Sequence, residues 1–189
     1  MNIRNFFQLI LIYAVLVLAG TVAYIISFRT PLFSGTDVFF FRGIYIILFW
    51  GVVIAAAMLC LKFFKFGELI TTRDVLLLFA GFCCVHVVIF THLPVTADRS
   101  ITVFMLGYMS DNSEQDFSEQ EIEEYFVSKY VGEYEAFDKR FHEQVYSGTI
   151  EETSEGRYRI TENGIRLMKI YDTTAKLYLL DDKLIHPSK

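Results

Sequence analysis

Three short stretches of the chain, with two arginines further on, carry residue types and spacings that can do chemistry. In "CCVH", Cys83 and His86 are three residues apart, which places a thiol and an imidazole on one face of a helix as two points of a metal site. One pair is an incomplete ligand set, and Cys60 is the only other thiol. The simpler expectation is soft side chains packing between helices, with His86 hydrogen-bonded to a neighbouring helix. In "KRFHEQ", His142 stands beside Glu143, as an acid–base pair would, but successive helical residues point about 100° apart and no nucleophile motif accompanies them. Lys139, Arg140 and His142, with Arg157 and Arg159 further on, are cations suited to a phosphate or to an acidic partner. In "PVTADRS", Asp98 and Arg99 stand where an apolar run ends, in reach of a lipid phosphate or a partner's loop. With His86 they make a candidate polar site at membrane level.

No phosphate loop, glycine fingerprint or zinc-type ligand spacing occurs, so no catalytic residue, bound metal or cofactor is expected and the chain does not read as an enzyme.

The elements that must hold these residues divide the chain. Its 189 residues are 53% hydrophobic with a mean hydropathy of +0.39, too apolar for an ordinary soluble domain. Before Asp98 there are six Lys/Arg and three acids; from Asp98 onward there are 11 basic and 19 acidic residues. All three cysteines lie in the apolar part, which gives no disulfide framework. The expected domains are a transmembrane part over 1–94 and an extramembrane part over 98–189.

Three runs are long enough to cross the roughly 20-residue helical span of a bilayer. Residues 5–28 carry no charge between Arg4 and Arg29; the run outlasts a signal-peptide core, so an uncleaved span is expected. Residues 38–61 are interrupted only by Arg42, placed to snorkel to the headgroups. Gly51 and Ala55 in that run have the small-xxx-small spacing of a helix-packing surface. Residues 75–92 end at "THLP", where Pro94 is expected to stop the helix and bias Leu93 away from helical geometry.

Charges at the span ends are nearly balanced: Arg4, Lys62, Lys65 and Arg73 on one side, Arg29, Arg42 and Arg99 on the other. The balance leans slightly to an external C-terminus.

Beyond the spans the period predicts more helices. Residues 98–111 offer Asp98 or Ser100 as a cap, then Ile101, Phe104, Met105 and Tyr108 at helical spacing; the helix is too short to span. Residues 117–131 open with a capping box of Ser118 and Glu121, with Ile122, Tyr125, Phe126 and Tyr130 as the apolar side. Residues 134–148 stack Phe137, Phe141 and Val145, and Gly148 is placed to stop the helix in left-handed geometry. The period then drops to two: "TIEE" and "RYRI" flank "TSEG", with Ile150, Tyr158 and Ile160 expected inward and Arg157 and Arg159 outward. Thr161 caps a last helix over 162–180, with Ile165, Met168, Ala175 and Leu179 on its buried side. Leu167, Ile170, Tyr171, Leu177, Tyr178 and Leu180 add apolar area beyond that core.

The stretch "SGTIEETSEGRYRITENGIRLM" resembles the wing and following helix of MarR- and PadR-type regulators, in which a strand pair ends in Y-x-L-T-x-x-G. Tyr158, Ile160, Thr161 and Gly164 occupy that pattern, with Ile in place of Leu. The resemblance covers roughly residues 98–180 and implies a small α+β winged-helix domain; with the three apolar runs, the expected fold is a mostly α membrane protein of three transmembrane helices followed by that domain. It also implies a third helix and wing aimed at DNA, dimerisation through the last helix, and a cytoplasmic C-terminal domain in a plasma or inner membrane. Fold does not fix function. The acidic surroundings of the reading helix and wing (Glu135, Asp138, Glu143, Glu151, Glu152, Glu155) lack the basic footprint of nucleic-acid binding.

The leading expectation is therefore an accessory or regulatory subunit that presents its domain to a protein partner or to a second copy at the bilayer. A membrane-tethered transcription regulator is the first alternative. The second is an accessory component of lipid-linked polysaccharide assembly or export, implied by a resemblance of the "PVTADRS" region to small membrane proteins encoded near such enzymes.

Overall fold

The computed structural model describes residues 2–64, 66–179, 181 and 185–187. The chain is mostly helical and divides into two compact units, residues 1–112 and 113–189. Lys65 and Leu180, counted above for charge balance and apolar area, lie outside the described residues.

The first unit contains α1 (Ile3–Ser27), α2 (Phe39–Phe64), α3 (Thr72–His92), α4 (Pro94–Arg99) and α5 (Ile101–Asp111). The first three helices are long and apolar enough, by length and composition, to cross a membrane. Their core is one cluster including Tyr24, Ile46, Ile47, Ile54, Met58, Leu78, Phe82 and Phe90.

Close approach is set by glycine. A Cβ on Gly43 would come within 2.0 Å of the Phe90 ring, one on Gly51 within 2.7 Å of Cys83 Sγ, and one on Gly20 within 2.9 Å of Ile54. The Gly51–Ala55 surface expected from sequence thus packs against α3 at its glycine. Such small-residue contact lets the helix backbones approach closely and supplies van der Waals packing between them.

Two sequence features gain detail here. Arg42 is held by the loop that precedes α2. Its Nη2 donates to Thr30 O at 2.8 Å and its Nε to Leu32 O at 3.2 Å, with the guanidinium 6.0 Å over the Phe28 ring. The loop turns back over α2 and leaves carbonyls unpaired in reach of the guanidinium, so the arginine clips the α1–α2 connection.

At Pro94, in turn, α3 has ended at His92 as expected, and helical structure resumes at once. The break is confined to Leu93 (φ −109°, ψ −72°), and Pro94 occupies the first turn of α4, where its missing N–H has no partner to lose. Ala97 N–H reaches Leu93 O at 2.9 Å. Ser100, rather than Asp98, then caps α5 by accepting from Val103 N.

The second unit contains α6 (Glu119–Tyr125), a π-helical segment π1 (Phe126–Glu133), α7 (Ala136–Tyr146), strands β1 (Ile150–Ser154) and β2 (Arg157–Ile160), and α8 (Glu162–Tyr178). The Ser118–Glu121 capping box forms as expected. The wider turns of π1 are new: Tyr134 N–H bonds back to Lys129 O, and Phe126 stacks on Tyr130 at 5.1 Å. Glu135 then takes a left-handed φ of 48° to start α7, and Gly148 (φ 69°) follows its end as expected.

The strands pair antiparallel with Ile150 opposite Ile160 and Glu151 opposite Arg159, and a bulge lies between Glu152 and Ser154. β1 therefore runs two residues into the expected loop. Tyr158 and Ile160, expected inward, remain about half exposed, as does Ile165 of α8. Leu179 is not on a buried face: it follows α8 in left-handed geometry and is 90% exposed.

Candidate functional site

Two places gather polar side chains. The first lies inside the helical bundle. His86, on the inner face of α3, is 4% exposed. Its Nδ1 lies 2.8 Å from Phe82 O, one turn earlier on the same helix, and its Nε2 lies 3.0 Å from Thr21 Oγ1 on α1.

A carbonyl only accepts, so Nδ1 carries the proton and donates. In the neutral ring Nε2 then accepts from the Thr21 hydroxyl. That hydroxyl also has Val17 O at 2.8 Å.

The ring stacks on Phe82 (3.9 Å between centroids) and meets Tyr24 edge-on at 5.3 Å. A small apolar cleft of about 190 Å³ between α1 and α3, lined by Val17, Leu77, Gly81 and Val85, reaches His86.

Two further polar ties hold α1, one to α3 and one to α2. Tyr13 OH donates to Asp74 O at 2.7 Å, and Trp50 Nε1 donates to Ser27 Oγ at 2.8 Å. By sequence Tyr13, Thr21 and Ser27 are merely parts of an apolar run. Their signal is spacing: Tyr13, Val17, Thr21 beside Gly20, Tyr24 and Ser27 fall on one stripe of α1 at three- and four-residue steps.

The expected membrane-level site of His86, Asp98 and Arg99 is not assembled. Asp98 and Arg99 lie in α4, beyond Pro94 and about 18 Å of helix rise from His86. Cys83 packs against Gly51 while Cys60 and Cys84 are exposed, and all three are free thiols. Among the described residues no group of three or more His, Cys, Asp or Glu is placed to hold a metal.

The second place is the hairpin and α7. Arg140 Nη1 reaches both carboxylate oxygens of Glu143 at 2.7 and 2.8 Å, and Glu143 is only 7% exposed. Arg159 Nε donates to Glu151 Oε1 at 2.7 Å across the strand pair. Tyr158 packs edge-on against Phe141 of α7 at 4.7 Å, so Arg157 and Arg159, one residue to either side, project from the opposite face of the hairpin. Lys139 and His142 are exposed on α7. The five cations therefore do not form one basic surface: two are neutralised by carboxylates and two point away from α7. His142 and Glu143 diverge, as their adjacency requires, and Glu143 serves Arg140.

The four motif residues each have a structural task. Tyr158 docks on α7. Thr161 accepts from Gly164 N–H at 3.2 Å and donates to Gly148 O at 2.7 Å, fixing the entry to α8. Gly164 is buried because a Cβ there would come within 2.3 Å of Thr149 O and 2.6 Å of the Ile160 side chain. The first turn of α8 thus lies directly on the hairpin, with Ile160 against it.

No protein-family model, no curated protein and no solved structure matches this chain.

Proposed function

We propose that the chain is an integral membrane protein whose second unit is a winged-helix-like module for protein–protein contact, acting as an accessory or regulatory subunit. One observation carries the reading. Among the described residues of 113–189, Ala175 is the only hydrophobic side chain classed as buried, while Phe137, Ile170, Leu177 and Tyr178 are each more than 60% exposed. A soluble unit that leaves this much apolar area open is built to be covered by something else. The element order and the tasks of Tyr158, Thr161 and Gly164 support the winged-helix-like description.

The pairing of Arg140 with Glu143 and of Arg159 with Glu151 speaks against nucleic acid, because a cation already neutralised releases few counterions. The three apolar helices support membrane placement. We place the second unit in the cytoplasm on its likeness to regulator modules, and a topology reporter fused after Lys189 checks that side; an external signal would remove the transcription-regulator alternative.

The test of the main reading is site-specific photo-crosslinking in native membranes from Ile170 and Leu177. Discrete adducts heavier than the chain are expected, an adduct of twice its mass identifying a second copy. Absence of adducts at both positions, with the protein present and folded, would overturn the proposal.

A further inference from the structure

The helix α5 groups with the first unit, yet none of its residues is buried. Ile101 to Ser110 contains no charged side chain, and Val103, Leu106 and Met109 share one side that is 43%, 56% and 37% exposed. The other side, with Phe104, Met105 and Tyr108, is partly covered. A helix that is apolar all round, with no core of its own, belongs in a larger core or in lipid.

Its length decides how it could meet a bilayer. Eleven residues rise about 16 Å, roughly half the hydrocarbon thickness, so α5 cannot cross. Both its flanks are polar: Asp98, Arg99 and Ser100 before it, Asp111 and Asn112 after it. Two polar ends on a helix too short to span must lie on the same side of the membrane.

Its termini are also closed by side chains, Ser100 accepting from Val103 N and Asn112 Nδ2 donating to Tyr108 O at 2.8 Å. Closed ends reduce the cost of placing backbone groups where water is scarce. α5 follows α3 with only Leu93, the six residues of α4 and Ser100 between, so it begins close to the end of the third apolar helix.

We propose that α5 is a fourth membrane-contacting element, lying in the plane of the bilayer at the boundary of headgroups and acyl chains. It turns Val103, Leu106 and Met109 toward the lipid tails, and its occupant is phospholipid rather than a protein. The inference rests on the membrane reading above.

The test uses the full chain with Cys60→Ser, Cys83→Ala and Cys84→Ala, reconstituted in phosphatidylcholine–phosphatidylglycerol vesicles. One environment-sensitive fluorophore is attached at a time to Leu106→Cys, Met109→Cys, Val53→Cys on α2, or Glu123→Cys on α6. Quenching by aqueous iodide and by lipids with shallow or deep nitroxides is compared.

Labels at 106 and 109 should be quenched best by the shallow nitroxide and about three-fold less by iodide than the label at 123, as expected of an interfacial helix. The label at 53 should be quenched best by the deep nitroxide. If 53 responds to lipid while 106 and 109 respond freely to iodide, or to neither quencher because protein covers them, the α5 proposal falls and the membrane reading stands. If 106 and 109 respond as 53 does, the in-plane placement is wrong. If 53 itself fails to respond to lipid, the membrane reading falls and takes this one with it.

Discussion

His86 Nε2 and Thr21 Oγ1, 65 residues apart in sequence, lie 3.0 Å apart between α3 and α1. With Nδ1 committed to Phe82 O of its own helix, this contact is the hydrogen bond that ties the ring to α1. Thr21→Val keeps the shape and leaves Nε2 without a partner, which should destabilise the bundle by about 1 kcal/mol, near the typical worth of an interhelical bond in membranes. A double-mutant cycle of Thr21→Val with His86→Phe, followed by denaturant unfolding in detergent, should show coupling of that order. Strict additivity would mean that the two side chains do not interact.

Gly43 lies under the Phe90 ring with no room for a methyl group. Gly43→Ala should therefore force α2 and α3 apart and cost about 1–3 kcal/mol, the usual range for overpacking. Phe90→Leu in the same chain should recover part of that loss. The check is the unfolding midpoint of the three variants; an additive double variant would contradict the contact.

At Gly164 the obstruction is partly backbone, since Thr149 O cannot swing away as a side chain can. Gly164→Ala should expose the hairpin amides to hydrogen exchange and lower the stability of the second unit by at least about 1 kcal/mol. Unchanged protection of Thr161 N–H, which donates to Thr149 O at 3.0 Å, would refute the account.

Arg140→Met would take two charge-assisted bonds from Glu143, a carboxylate with little access to water. Since Arg140 is itself partly exposed, the expected loss is about 1–2 kcal/mol, below that of a fully buried pair. Glu143→Gln, which keeps a hydrogen-bond acceptor, should cost less. Thermal melts that rank the two variants the other way would count against the pair.

Glu121 ionises below the usual carboxylate range because the Ser118 backbone N–H and then its hydroxyl donate to the charged form. A folded value below the unfolded one means that the cap's contribution is complete above the ordinary Glu range and is lost as pH falls through the lowered value. Amide exchange over α6 should accelerate on acidification. Ser118→Ala should return the Glu121 titration, followed by carboxyl NMR shifts, toward the ordinary range; a titration that does not move would exclude the box as the cause.

Features set by neighbours along the chain are legible in the amino-acid sequence alone. The three apolar runs, the Ser118–Glu121 box, the Thr161 cap, the positive φ at Gly148 and the hairpin of 150–160 all depend on residues within a few positions of one another. Hydrophobic period, side-chain reach to a nearby N–H and the lack of a Cβ are local properties. The structure moves their ends by one to three residues and converts one stretch, 126–133, to wider π turns.

What tertiary packing decided is everything that needs a partner from far away. Thr21 is a plain hydroxyl in an apolar run until α3 brings His86 beside it. Gly43 is an ordinary helix glycine until Phe90 covers it. Arg42 reads as a charge seeking headgroups until the loop turns carbonyls of Thr30 and Leu32 toward it. Arg140, Arg157 and Arg159 read as cations suited to a phosphate or an acidic partner until Glu143 and Glu151 take two of them and the dock of Tyr158 on Phe141 turns the hairpin arginines away. A side chain's chemistry is set by what it faces, and residue type and spacing settle which way it faces only within its own element.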